Sequence, residues 1–497
     1  MTRTKTLTII LVAVSIIFLL VLISFFTATG KVETKNKSEK KEYARERPNI
    51  ILMSIDTLRA DHLHCYGYSR ETSPHIDSFA KDAVLFRNAI SPSPYTAPSH
   101  MSLFTGLTPF VHGVNNICGA QYARMNEKIT TLAEVLFNNN YTTVGFHGGG
   151  NVCAELGFDK GFETYDMVPL QPNENFFSND TGDLHATIQK ARERNVPFFL
   201  FLHHYYCHDP YLAAPEKYRL RFLKTKVEGL PVCFTEIDPN SEVVNARKNL
   251  EKRMSGFDNA RENFWKRIDL TNAAHREHIV SLYDGEVYYS DYLFGKLIKL
   301  LKEEKCYDNS IIILLGDHGE EFLEHGGTLH EKLFIETLHV PLLIKFPFNQ
   351  YGDKVIDQHI RLFDIMPTLL SYVGIQTTHL MQAESFLPLL TKKGIYDPTI
   401  LSFHGGKVRF LKKGFVYTDE DTSDSSEWLF DYRIDPQEKT NRASQKPKLL
   451  RKMQNTAKKI IKEQTAMKEK LDFDNKDKID IKKDSRLLQW LKSLGYL

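Results

Sequence analysis

The apolar and polar positions divide the chain into stretches of distinct texture. From Leu7 to Phe26 the sequence LTIILVAVSIIFLLVLISFF carries no charge. About 20 such residues span a bilayer as a helix. Arg3 and Lys5 precede the run and the small residues Thr27-Ala28-Thr29-Gly30 follow it, so a cleavable signal sequence is the alternative reading. The run is longer than the roughly 7–15 apolar residues of a signal, which favours an uncleaved anchor over residues 1–30. Lys31, Lys35, Lys37, Lys40 and Lys41 lie beyond it, so charge alone does not orient the span. Residues 31–47 are polar without apolar periodicity and read as a solvated linker.

From residue 48 onward, short continuous apolar runs recur between helical patterns. They are NIILMSID (Asn49 to Asp56), TTVGFH (Thr142 to His147), PFFLFLHH (Pro197 to His204), SIIILLGDH (Ser310 to His318) and VPLLIKFP (Val340 to Pro347). Continuous rather than alternating runs predict parallel strands covered on both faces. Helical patterns fall over Pro74 to Ala83, Thr131 to Asn138, Thr181 to Arg194 and His278 to Glu304. Strands alternating with helices predict an α/β, doubly wound, mostly parallel central sheet, which we assign to residues 48–396. Beyond that, ILSFHGG, KVRFLKKGFVYTD and EWLFDYRIDP read as short antiparallel strands of a smaller C-terminal subdomain, 397–497. Its end is a lysine-rich helical tail in which Leu487, Leu488, Trp490, Leu491 and Leu494 could dock on the main domain.

The runs end informatively. Asp56 closes the first, His147 the second, His203 and His204 the third, and Asp317 and His318 the fourth. Ligands of an open parallel sheet bind beyond the carboxyl ends of its strands. Any one of these residues could be a solvated loop side chain; together they bring acid-base and metal-ligating groups to one edge.

Composition narrows the choices. The 497 residues are 42% hydrophobic and carry 64 basic against 62 acidic side chains. That is enough chain for a large core plus a second unit. The charge balance excludes the basic footprint of a nucleic-acid binder. The six cysteines form no CxxC pair, which removes zinc-ribbon and thioredoxin readings; one or two disulfides, or buried free thiols, remain open.

Within SPSPYTAPSHMSLFTGLTPFVHG, Pro98 suits the first turn of a helix and places Thr96 at its N-terminus. Anions favour that position, and a hydroxyl held there by a divalent cation can attack a phosphoryl or sulfuryl centre. The competing reading is that Thr96 only caps the helix.

Seven segments in order, SIDTLRADHLHCYGY (Ser54 to Tyr68), SPHIDSFA, TAPSHMSLFTG (Thr96 to Gly106), LGDHGEEFLEHG (Leu315 to Gly326), LHVPLLIKFP, LFDIMPTLLSYVGI and LFDYRIDPQEKTN, resemble the sulfatase family of the alkaline-phosphatase superfamily over nearly the whole chain after Pro48. The resemblance implies that Asp56, Thr96, Asp317 and His318 hold a divalent metal (calcium, zinc or manganese) and that Thr96 is also the nucleophile. It places His208 opposite the ester and His330 against the anion. His100 stands where the family has an arginine and joins the candidate catalytic residues. His203 or His204 could support a second metal, although the sequence shows no three-ligand set for it.

The chain also departs from that pattern. Sulfatases oxidise a cysteine or serine to formylglycine at the nucleophile position, and a threonine cannot give that aldehyde. Thr57 replaces the second of two adjacent aspartates, and Gly148-Gly149-Gly150 replaces a lysine-tryptophan-histidine segment. Thr-x-Pro-Ser-His, and Asp-His rather than Asp-Asn at 317–318, are similar to the phosphodiesterase and phosphatase branches. A histidine in the ligand set tolerates zinc or manganese better than an all-oxygen calcium site would.

The expectation is a single-pass, membrane-anchored hydrolase of a phosphate ester, a diester favoured, acting outside the cytoplasm on a small-molecule, glycan or lipid ester. The rivals are a sulfuric ester hydrolase and a catalytically inactive anchored binding protein.

Overall fold

The computed structural model describes residues 47–114, 121–168, 183–237, 261–420, 427–471 and 478–480. The expected membrane span, the linker up to Glu46 and the terminal run from Ser485 lie outside the described residues. Among the described residues, no helix is long and apolar enough to cross a membrane.

The strands in chain order are β1 (Asn49–Ile55), β2 (Val84–Ile90), β3 (Gln121–Ala123), β4 (Thr142–His147), β5 (Thr164–Met167), β6 (Phe198–His204), β7 (Ser310–Gly316), β8 (Glu321–Phe322), β9 (Thr328–Leu329), β10 (His339–Lys345) and β11 (Lys354–Arg361). Eight of them form one sheet in the order β11-β2-β10-β7-β1-β6-β4-β5. At its centre β1 pairs in parallel with β6 on one side and β7 on the other. Alternate residues of β1 enter two separate cores: Ile50 and Leu52 pack on one face, and Ile51, Met53 and Ile55 on the other. A strand buried on both faces has no polar side, which is why its sequence runs apolar without alternation.

One expectation fails here. VPLLIKFP does form a strand, β10, but it runs antiparallel to both neighbours, β7 and β2. A run buried on both faces reads the same in either direction, so periodicity carries no direction. The connection decides it: between β7 and β10 the chain holds only short elements, β8, β9 and the helix Ile335–Leu338. Without a crossover helix the chain re-enters the sheet from the end it left, and an antiparallel pairing results. The reading also omitted β2, where Arg87 and Asn88 interrupt the apolar run, and the two edge strands. β11 alternates polar residues with buried Ile356 and Ile360, and β5 is mostly half-buried.

The helices fall near their expected places, at Pro74–Ala80, Leu132–Phe137, Asp183–Arg194 and Ala273–Glu303. Thr131 caps the second, its hydroxyl accepting from the Glu134 N–H, and the Asn272 side chain caps the last by accepting from the Ala274 N–H.

A four-stranded antiparallel sheet follows, made of β12 (Ile400–His404), β13 (Lys407–Lys412), β14 (Phe415–Thr418) and β15 (Trp428–Asp431). One face packs Phe403, Val408, Phe410 and Leu429 against Met453, Ala457 and Ile460 of the helix Pro447–Lys470. The other packs Ile400, Leu411, Val416 and Phe430 against Leu333, Phe334 and Leu338. The small sheet therefore braces the segment between β9 and β10. Cys65, Cys153, Cys207, Cys233 and Cys306 are free, so no disulfide joins the described residues.

Candidate active site

The site lies at the carboxyl ends of β1, β6 and β7. Asp56 follows β1 directly and its N–H donates to the His204 carbonyl at 3.1 Å, which locks the ends of β1 and β6 together. Thr57 turns back with φ +52° and its N–H donates to Asp317 Oδ1 at 3.1 Å. The His318 N–H donates to the same oxygen at 2.9 Å. Two strand ends thus fix one carboxylate oxygen of Asp317 and leave Oδ2 facing the site.

Thr96 is the first residue of the helix Thr96–Thr105, whose N-cap is Tyr95. The helix is pinned by Ser99, whose hydroxyl donates to the Asp317 carbonyl at 2.8 Å. It is closed by Gly106 at φ +66°, a left-handed position where a Cβ would also meet Ala383 Cβ at 3.1 Å. The Thr96 hydroxyl donates to Asp56 Oδ2 at 3.0 Å and lies 3.3 Å from His318 Nε2. His318 Nε2 in turn stands 3.5 Å from Asp317 Oδ2 and 4.0 Å from Asp56 Oδ1. The four residues named from the sequence therefore converge.

Their electrostatics explain what they suit. Asp56, Thr96 and His318 are fully buried and Asp317 is 1% exposed. Asp56 Oδ1 and Asp317 Oδ2 have no hydrogen-bond partner. Burial, and then the Asp56 charge, push the Asp317 carboxyl well above the usual range. Burial and the neighbouring His330 hold the His318 imidazole well below its ordinary value, so it is neutral. Two adjacent buried carboxylates with unpartnered oxygens, a neutral imidazole and a hydroxyl are a fitting donor set for a divalent cation. Asp56, Asp317 and His318 offer ligand atoms within 4.8 Å of one another.

His208 and His330 pack ring to ring, centroids 5.5 Å apart, and His330 lies 4.6 Å from the His318 ring. They differ in charge. Burial alone would lower His208, but its hydrogen bond to Asp209 and that carboxylate's charge outweigh burial and carry it up to about 9. Asp209 is itself held by Arg261 Nε at 2.5 Å and Trp265 Nε1 at 2.7 Å. His330, lowered to about 3 by burial and then by His208, is neutral and bonds Glu320 Oε1 through Nδ1 at 3.0 Å. The pair thus offers one imidazolium and one neutral ring at the same wall of the site.

His100 is drawn in as well: its Nδ1 donates to the Thr96 carbonyl at 2.9 Å and stands 3.5 Å from Asp317 Oδ2. His203 faces Asp56 Oδ2 at 3.5 Å. His147 does not join the ligand groups; it stacks on Tyr165 at 4.4 Å, and its Nδ1 accepts from the Gly149 N–H at 3.1 Å. The supporting groups Ser54, Asp209, Arg261 and Glu320 escaped the sequence reading. Asp209 directly follows His208, and Ser54 and Glu320 lie two residues from Asp56 and His318 inside the matched segments; Arg261 alone of the four had no local signal.

A buried hydroxyl, two carboxylates and an imidazole at the carboxyl edge of this sheet define an ester hydrolase of alkaline-phosphatase-like fold. Residues 48–375 match the family model described as Sulfatase, and the chain belongs to the sulfatase family. It is 25% identical over 447 residues to a sulfatase of Formosa agariphila, covering 82% of this chain and 85% of that protein. Among solved structures, the phosphonate monoester hydrolase of Agrobacterium radiobacter superposes with TM-score 0.62 at 18% identity, over 85% of this chain and 96% of that one. A structure in complex with its substrate D-glucosamine-2-N,6-O-disulfate superposes with TM-score 0.65 at 17% identity, over 85% and 98%. At these identities the two structures speak for the fold alone.

Proposed function

We propose that this sulfatase-family hydrolase cleaves a phosphate ester, a diester by preference, through a covalent phosphothreonine at Thr96. The observation that carries the reading is the Thr96 hydroxyl, buried at a helix N-terminus with its proton directed at Asp56 Oδ2, 3.0 Å away. Asp56, Thr96, Asp317 and His318 would hold the divalent metal, which when bound lowers the hydroxyl pKa and offsets charge on the transferred group. Asp56 Oδ2 is placed to accept the Thr96 proton as Oγ1 bonds to phosphorus. His208, protonated at neutral pH, gives its proton to the departing oxygen, and the neutral His208 then takes one from the water that cleaves the phosphothreonine. Burial pushes the Glu320 carboxyl well above the usual range, so it can donate to His330 Nδ1 and leave the proton on Nε2 to donate a hydrogen bond to a non-bridging oxygen.

Threonine also bears on the choice of ester. It cannot form the aldehyde hydrate on which formylglycine sulfatases rely, so a covalent intermediate here is an ordinary threonine ester released by water. The names of the relatives favour a second reading, a sulfuric ester hydrolase acting through the same unmodified Thr96, and the structure of the same fold that binds a glucosamine disulfate supports a glycan ester as a candidate substrate. Chromogenic phosphate mono- and diesters and an aryl sulfate separate the two readings. Release from the phosphodiester should exceed release from the sulfate, and the opposite order would overturn the phosphate assignment. We further infer from Leu7–Phe26 that the hydrolase is membrane-anchored and faces away from the cytoplasm; cell fractionation with protease protection tests this.

A further inference from the structure

We propose that the site binds a second divalent cation, of the zinc or manganese class, through His100, His203 and Asp317, with Asp317 shared between the two ions. This rests on the metal-site reading above and extends it. The three residues offer ligand atoms within 4.8 Å of one another and all are buried.

Two observations support it, the first of them unused by the first metal site. The first is His203, which is fully buried with neither ring nitrogen hydrogen-bonded. An unsatisfied buried polar group costs about 1–3 kcal/mol, so a ring left this way in a close-packed strand end needs a reason. The second is Asp317 Oδ2. It has no hydrogen-bond partner, yet it stands 3.5 Å from His318 Nε2 on one side and 3.5 Å from His100 Nδ1 on the other. Ligands about 2.1 Å from a tetrahedral ion lie roughly 3.4 Å apart, so both separations match the edge of such a coordination shell.

The surroundings of His100 suit ligation too. With Nδ1 as ligand the ring proton moves to Nε2, where Ser54 Oγ, 2.9 Å away, accepts it. Metal-bound histidines commonly anchor their second nitrogen in this way. The hydrogen bond from Nδ1 to the Thr96 carbonyl is given up in exchange. His203 Nε2 also reaches Asp56 Oδ2 at 3.5 Å, which brings the other carboxylate to the border between the two sites. Two imidazoles and one carboxylate select zinc or manganese over calcium or magnesium.

The test uses the full chain, stripped with a chelator and dialysed against Zn(II), with metal per chain read by elemental analysis. Two equivalents are expected in the unaltered chain and one in His203→Gln, whose melting temperature is recorded as a folding control. The unaltered chain loaded with Mn(II) should show the exchange-coupled electron paramagnetic resonance of a bridged pair, a readout that needs no variant. One equivalent with an uncoupled Mn(II) signal would overturn the second site and leave the first intact. Two equivalents retained in folded His203→Gln would overturn the ligand assignment. No bound metal would sink both this proposal and the reading on which it rests.

Discussion

Two buried carboxylate centres in this chain are built on opposite plans. Asp364 is saturated: Arg361 donates to both of its oxygens at 2.7 and 2.8 Å, Tyr396 donates at 2.6 Å, and the Glu384 N–H at 2.8 Å. Asp56 and Asp317 are equally buried, but each keeps an oxygen without a hydrogen-bond partner, and the rings facing them include imidazoles held neutral by burial. A buried ion with its counter-ion in place braces the fold, here the segment from β11 to Phe386. A buried carboxylate pair without one either keeps a proton, as the raised Asp317 does, or takes up a cation. At these two centres the contrast parts a carboxylate braced by its counter-ion from a pair left open to a cation.

The comparison breaks most visibly at Thr96. Thr96→Ala should lose more than the roughly 10²–10⁴-fold typical of one acid-base group, because it deletes attacking atom and ligand together. Thr96→Ser should retain partial activity. Turnover on a phosphodiester, with melting temperature for each variant, checks this. If Thr96 were only a helix cap, alanine would lower the melting point and spare the chemistry.

Asp364→Ala and Asp317→Asn sharpen the contrast directly. The first strands Arg361, which is 5% exposed, and should cost about 3–5 kcal/mol in denaturant unfolding without changing metal content. The second should abolish metal binding but leave the metal-free protein about as stable, because burial and the Asp56 charge already keep the Asp317 carboxyl protonated there. Metal should also stabilise the unaltered chain, by about 4 kcal/mol at a thousandfold excess over its Kd. That gain should shrink as pH falls, since Asp317, raised in the metal-free fold, must lose its proton to bind.

A smaller effect concerns His208. Its folded pKa of about 9 lies above the ordinary value near 6.5, so the protonated form that serves the leaving group persists through neutral pH and is lost as pH rises through about 9. The alkaline limb of the kcat profile should fall there. Asp209→Asn removes the charge that raises His208 and should move the limb toward neutrality. An unmoved limb would assign it to another group. The smallest effect expected is that of deleting residues 1–45: a chain beginning at Glu46 should keep full activity, measured on the same diester.

Much of this was readable from the chain because the chemistry sits at strand ends. Asp56, Asp317 and His318 terminate apolar runs, and an apolar run that stops in a charged residue marks a sheet edge in any α/β protein. Thr96 was readable through Pro98 and Gly106, which punctuate the two ends of its helix. The direction of β10 was not, because both of its faces are buried. Nor was the meeting of His100 with His203. They lie 103 positions apart, on a helix and a strand, and only the packing of that helix across the ends of β1 and β6 brings the rings to 4.9 Å. Asp209's hold on His208 depends on Arg261, which no local pattern connects to it.

The central claim is that Thr96 carries the transferred group. Acid quenching during steady-state turnover of a phosphodiester, followed by mass spectrometry of the peptide containing Thr96, tests it most directly. A phosphoryl group should be found on Thr96 and should disappear when substrate is exhausted. An unmodified Thr96 in an enzyme that is turning over, with activity surviving in Thr96→Ala, would contradict it.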